Sequence, residues 1–207
     1  MSFLIKDNKI LTSGGKPIVP KKKELGFADG TLTEYSGQDK KIRGCAFYNC
    51  SALTSINVPN ATLIGTEAFR DCSALTSVDF PLVTSIGTSS FYNCRSLISV
   101  RVGDVKSIPT QTFYSCNNLK RLIILTTGSV PTLSNKNAFN GCVFLHGVVD
   151  GTYNPEGLKD GYIYVPRSMV DSYKSATNWS TFADQIRALE DYTVDGTTTG
   201  ELDESKI

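Results

Sequence analysis

Apolar residues return along the middle of this chain in one fixed order. A lone isoleucine comes first, at Ile42, Ile64, Ile86 and Ile108. A small residue and a phenylalanine follow: Ala46-Phe47, Ala68-Phe69, Ser90-Phe91, Thr112-Phe113 and Ala138-Phe139. A cysteine stands three residues on, at Cys50, Cys72, Cys94, Cys116 and Cys142, and a leucine three beyond that, at Leu53, Leu75, Leu97, Leu119 and Leu145. Spacing by three places Phe, Cys and Leu on one side of a tight, helix-like turn. Strict alternation comes next, in Ile56-x-Val58, Val78-x-Phe80, Val100-x-Val102 and Leu122-x-Ile124, which predicts a short strand with one face inward. Pro59, Pro81 and Gly103 end three of these strands. A second extended segment, as in Val83-Thr84-Ser85-Ile86, returns to the next isoleucine.

The whole series repeats every 22 residues and takes one longer step of 26 before Phe139. A fixed period of this size means a solenoid, because one coil cannot bury its apolar side without a neighbour. The expected fold is a repeat solenoid of the α/β leucine-rich type, with about five coils of short strands and short helical turns, capped at both ends. Within it, Phe47, Cys50, Phe69, Cys72, Phe91, Cys94, Phe113, Cys116, Phe139 and Cys142 form the structural core.

Outside the period the pattern changes. Residues 1–41 read as an N-terminal hairpin followed by a cap or linker. Phe3-Leu4-Ile5 and Lys9-Ile10-Leu11 flank Asp7-Asn8, and Gly14-Gly15 turns the chain into Pro17-Ile18-Val19. Residues 42–146 hold the repeats. Residues 147–191 contain a Gly- and Asp-rich insertion, a final strand at Tyr162-Ile163-Tyr164-Val165, and a helical cap. Ser168 and Ser180 are placed to cap helices there, and Phe182, Ile186 and Leu189 follow helical spacing. Residues 192–207 are a polar tail.

Composition narrows the function. Hydrophobic residues make up 40% and charged residues 20%, as in a folded, water-soluble domain. A formal net charge of +1 argues against a broad grip on nucleic acid. No apolar run is long enough to span a bilayer, so membrane insertion is not expected. The first ten residues carry charges where an export signal needs an apolar stretch. The location is therefore open: extracellular if a signal has been removed, otherwise virion or cytoplasm.

Six cysteines suggest a disulfide framework, but five occupy one repeat position inside an apolar pattern and read as a column of buried thiols. Cys45, whose equivalents are Glu67, Ser89 and Gln111, reads as exposed. No enzymatic activity is expected. The single histidine, His146, has no recognisable nucleophile partner, and the cysteines occur singly, without metal-ligand pairing. No metal and no cofactor is expected.

Function then falls to the surface. The alternation leaves Ser55, Asn57, Ser77, Asp79, Ser99, Arg101, Arg121 and Ile123 facing outward from the strands, either as a binding row or as a solvated face. On the turns, Tyr48, Tyr92 and Tyr114 share one register with Arg70 between them. They form either an exposed aromatic column suited to recognition or rings buried between coils. The insertion, with Tyr153, Asn154 and Pro155, is a third candidate.

The coil Ile64-Gly65-x-x-Ala68-Phe69-x-x-Cys72-Ser73-x-Leu75-Thr76-Ser77-Val78-x-Phe80-Pro81 resembles the BspA-like leucine-rich repeat, also called the Treponema pallidum type. Ile163 through Ser180 is similar to the segment that closes such repeats in gut-bacterial members. The resemblance implies a curved, right-handed solenoid with a role in adhesion or protein recognition, as in exported bacterial surface proteins, and the expected function is a non-catalytic module that recognises a protein or glycan on a cell surface. The tail from Tyr192 to Gly200 resembles tails of proteins encoded with phage tail genes in gut Firmicutes. That likeness implies an alternative role as a structural or receptor-binding part of a phage tail. Homo-oligomer or virion assembly stays open on either reading.

Overall fold

A computed structural model of the 207-residue chain describes residues 4–6, 9–11, 31–146, 148–149, 152–153 and 161–192. The expected turn at Gly14-Gly15, the segment Pro17-Ile18-Val19, the loop residues Asn154 and Pro155, and the tail beyond residue 192 lie outside the described residues, as do the side chains of His146 and Tyr153.

Near the start, β1 (Leu4–Lys6) pairs antiparallel with β2 (Lys9–Leu11). From there the pairing is parallel. β3 (Glu34–Ser36) lies beside β2, and β5 (Ser55–Asn57) lies beside β3 with Tyr35 opposite Ile56. Between them in sequence, β4 (Lys41–Ile42) starts a second column. That column continues through β6 (Leu63–Ile64) and β8 (Ser85–Ile86), then as a separate pair through β10 (Ser107–Ile108) and β12 (Thr132–Leu133). The first column resumes as a parallel sheet of β7 (Ser77–Phe80), β9 (Ser99–Val102) and β11 (Arg121–Ile124). Val78, Val100 and Leu122 stand side by side in it. A parallel sheet whose strands are offset by one repeat is what stacked coils produce.

The longer repeat step has a definite location. In two regular coils the chain passes from Phe80 to Ser85 and from Val102 to Ser107, whereas β11 ends at Ile124 and β12 begins only at Thr132. Three of the four added residues therefore lie in this corner. The last part of the chain grips it. Trp179 Nε1 donates to Pro131 O at 2.7 Å, Asn178 Nδ2 donates to Leu133 O at 2.7 Å, and the hydroxyls of Thr126 and Tyr173 share a hydrogen bond of 3.0 Å.

Beyond the repeats, α1 (Val143–His146) precedes a short antiparallel pair, β13 (Val148–Val149) with β14 (Thr152–Tyr153). β15 (Tyr162–Val165) then joins the sheet beside β11. The C-terminal segment differs from the expected helices. Ser168 lies inside a 3₁₀ turn (Arg167–Met169) and caps nothing, and α2 runs only over Val170–Ser175. Trp179–Gln185 is a 3₁₀ helix, after which β16 (Ile186–Ala188) pairs in parallel with β15. Gln185 supplies the physical reason. Its side-chain amide donates to Phe144 O at 2.7 Å and Gly161 O at 2.9 Å, which ties the chain to the sheet edge and turns Ile186 into an extended strand. Phe182 and Ile186 are both buried, so their spacing served the core without a continuous α-helix.

Candidate functional site

The turn side of each coil is half helix and half ladder. Alternate amides fold back within the coil: Ala68 N–H to Gly65 O, Arg70 N–H to Glu67 O, and Cys72 N–H to Phe69 O, at 3.1–3.2 Å. The amides between them reach the next coil: Glu67 N–H to Thr88 O, Phe69 N–H to Ser90 O, and Asp71 N–H to Tyr92 O, at 2.8–3.0 Å. The neighbouring coils repeat this division. It requires two left-handed residues per turn, four apart. One set is Cys45, Glu67, Ser89 and Gln111, with φ of 54–58°. The other is Asn49, Asp71, Asn93 and Ser115, with φ of 58–63°, followed by Gly141 at 81°. Asn, Asp and Gly tolerate this conformation best, which accounts for much of the second set.

Inside, the phenylalanines form one stack. Centroids from Phe47 through Phe69, Phe91 and Phe113 to Phe139 are 5.2–5.5 Å apart with nearly parallel planes. Phe139 then meets Trp179 and Phe182 in tilted and edge-on contacts. The thiols form a second column, and each of four donates across a coil boundary at 3.0 Å: Cys72 to Phe47 O, Cys94 to Phe69 O, Cys116 to Phe91 O and Cys142 to Phe113 O. The same Phe carbonyls accept the backbone N–H of Cys50, Cys72, Cys94 and Cys116. A small hydrophobe with one donor fits this place. None of the six cysteines forms a disulfide; five are buried and Cys45 is exposed. Burial pushes the thiols of Cys72, Cys94, Cys116 and Cys142 above the ordinary range and leaves them protonated.

Outside, the aromatic column is part stack and part clamp. Tyr92 and Tyr114 lie 4.9 Å apart with planes 2° from parallel. The Arg70 guanidinium fills the coil that lacks a tyrosine, 4.4 Å from the Tyr92 ring and 5.9 Å from the Tyr48 ring. Both readings of these tyrosines meet in the outcome: all three are half-buried, each with a neighbour against at least one ring face. Arg70 is itself held by Glu67 at 2.7 Å and by Asp71 at 3.5 Å. Burial works against its charge, but the Glu67 carboxylate outweighs that and raises its pKa. Next to this column Asn93 Nδ2 donates to Asp71 Oδ1, and Arg95 Nε donates to Asn93 Oδ1, each at 2.7 Å. Composition gave no hint of this network. The signal available was the 22-residue offset that brings Asp71 beside Asn93.

The strand side is sparser. Ser55, Asn57, Ser77 and Asp79 are exposed, and Ser99, Arg101 and Arg121 are half-buried. Arg101 reaches Asp79 at 3.4 Å, an ion pair of small energetic weight at such exposure. Ile123 does not belong to this open row. It is 3% exposed, because the adjoining strands set Arg101 on one side of it and Tyr164 on the other, both larger side chains. Among the described residues no group of three or more His, Cys, Asp or Glu side chains could hold a metal, and no helix is long and apolar enough to cross a membrane.

The profile of the BspA type leucine rich repeat region matches residues 40–150, more than half of the chain, in six copies. The chain belongs to the BspA-type leucine-rich repeat family. No curated protein matches its sequence. Two solved structures are similar to this BspA-type chain. One is a leucine-rich repeat protein from Bacteroides ovatus ATCC 8483, at 30% identity and a TM-score of 0.40, covering 45% of this chain and 25% of that one. The other is the pneumococcal vaccine antigen PcpA, at 16% identity and a TM-score of 0.39, covering 75% of this chain and 40% of that one. The chain thus spans less than half the length of either. These matches lend no support to the likeness of the tail to phage tail-associated proteins.

Proposed function

We propose that this BspA-type chain is a non-catalytic binding module that recognises a protein or glycan on a cell surface through its repeat surface. The observation that carries this reading is the row order of the outward side chains. Backbone ladders between coils hold them at fixed spacing, on the strand side from Ser77 to Arg121 and on the turn side from Tyr48 to Tyr114. A surface ordered before its partner arrives avoids much of the entropic cost of association. Regular rows of polar side chains on a fixed backbone suit recognition of an extended partner surface.

The test is binding of labelled protein to a panel of intact bacteria, epithelial cells and extracellular-matrix proteins, beside an Arg101→Glu/Arg121→Glu variant. Saturable binding to a subset of surfaces is expected. Loss in the variant would assign the strand row, and retention would assign the turn row. Absence of binding to every surface would overturn the reading.

A further inference from the structure

The turn-side column sets narrow conditions on what it could hold. Tyr92 and Tyr114 each cover one ring face of the other, and Arg70 covers the second face of Tyr92. What they present is a row of edges and hydroxyls. Those two hydroxyls make no hydrogen bond to any described residue and are not among the buried unpartnered atoms, so they face solvent. Beside them lie fixed planar polar groups: the Asp71 carboxylate, the Asn93 amide and the Arg95 guanidinium, joined by bonds of 2.7 Å. The charges at this site, Glu67 and Asp71 against Arg70 and Arg95, cancel.

We propose that this ledge binds a linear, neutral, β-linked polysaccharide running along the stacking axis. The proposal rests on the binding-module reading and names its ligand. An extended β-linked hexose chain advances per sugar by close to the 4.9 Å that separates Tyr92 from Tyr114. Each of the two coils that carry Tyr92 and Tyr114 therefore meets one sugar. The tyrosine hydroxyls bond ring-flanking hydroxyls of successive sugars, and the Asp71–Asn93–Arg95 network, whose members each keep unused donors or acceptors, bonds the adjacent hydroxyls. Cancelled local charge favours a neutral chain over a sulfated or uronic one. It also makes the interaction insensitive to salt, since no counterions are released.

The experiment is electrophoresis of the full chain in native gels cast with a soluble mixed-linkage β-glucan, with dextran, or with heparin, at low and high salt. A Tyr92→Phe/Tyr114→Phe variant, which keeps the ring stack and removes only the hydroxyls, runs beside it. Retardation in β-glucan alone, equal at both salt levels and weakened about tenfold in the variant, is expected; two lost hydrogen bonds of ~0.5–1.5 kcal/mol each give that order of change. Retardation only in heparin, or equal retardation of variant and parent, would overturn the assignment. Binding to cells or matrix proteins without retardation in β-glucan would overturn the ligand class and leave the binding-module reading standing. Binding in no assay would remove both.

Discussion

The two long sides of this solenoid solve the same stacking problem differently. On the strand side, alternation alone places Val78, Val100 and Leu122 inward and frees the residues between them. On the turn side the backbone must switch at every second residue between a bond within its coil and a bond to the next, with two left-handed residues per coil. Each outward group there is fixed by its neighbours: Arg70 by Glu67 and two rings, Tyr92 by Tyr114, Asn93 by Asp71. The strand side can change its outward residues at little cost to the fold, whereas the turn side trades that freedom for rigidity.

Mutations should expose this contrast in descending order. The largest effect belongs to Gly87→Ala. A Cβ there would collide with the backbone of Thr66 and Gly65 in the preceding coil, so roughly 3 kcal/mol or more of stability is expected to be lost in a denaturant titration. Cys94→Ala removes a buried thiol and its bond to Phe69 O, and about 2 kcal/mol should go. The same column predicts a pH effect. The folded-state pKa values of Cys72, Cys94, Cys116 and Cys142 lie above their unfolded values. The unfolded chain therefore releases protons first, and stability present below about pH 8.5 should fall as pH rises beyond it. Thermal melts across that range check the sign, and stability rising with pH would contradict a buried column. A thiol reagent should modify only Cys45 in the native protein and all six cysteines after denaturation. Asn93→Ala, at φ of 60°, should cost roughly 1 kcal/mol, with Asn93→Gly recovering much of it. On the strand side, Ser77→Ala and Arg101→Glu should each shift stability by less than about 0.5 kcal/mol, and a larger loss would blur the distinction.

How much of this could be read in the chain follows the same division. The period exposed the inward Phe, Cys and Leu positions of the repeats, because burial imposes one residue type at one spacing coil after coil. The left-handed positions were half legible: Asn49, Asp71 and Asn93 are residues that tolerate that geometry, but Cys45, Glu67 and Gln111 give no such sign. Ile123 misled because alternation reports which way a side chain points and not what stands beside it. Phe182 and Ile186 misled because a 3₁₀ turn running into a strand can bury residues four apart as an α-helix does. The Arg70 clamp needed coordinates, since a gap in the tyrosine column does not reveal that a guanidinium will fill it.

The lengthened corner between Ile124 and Thr132 carries a meaning for growth of the array. Its carbonyls at Pro131 and Leu133 receive Trp179 and Asn178, so the coil that breaks the period also anchors the segment that follows the repeats. Whole coils can be duplicated or deleted ahead of that corner without disturbing the anchor. A coil inserted behind it would separate lock from key. Coils can thus be gained or lost ahead of the irregular step while its lock on the following segment stays intact.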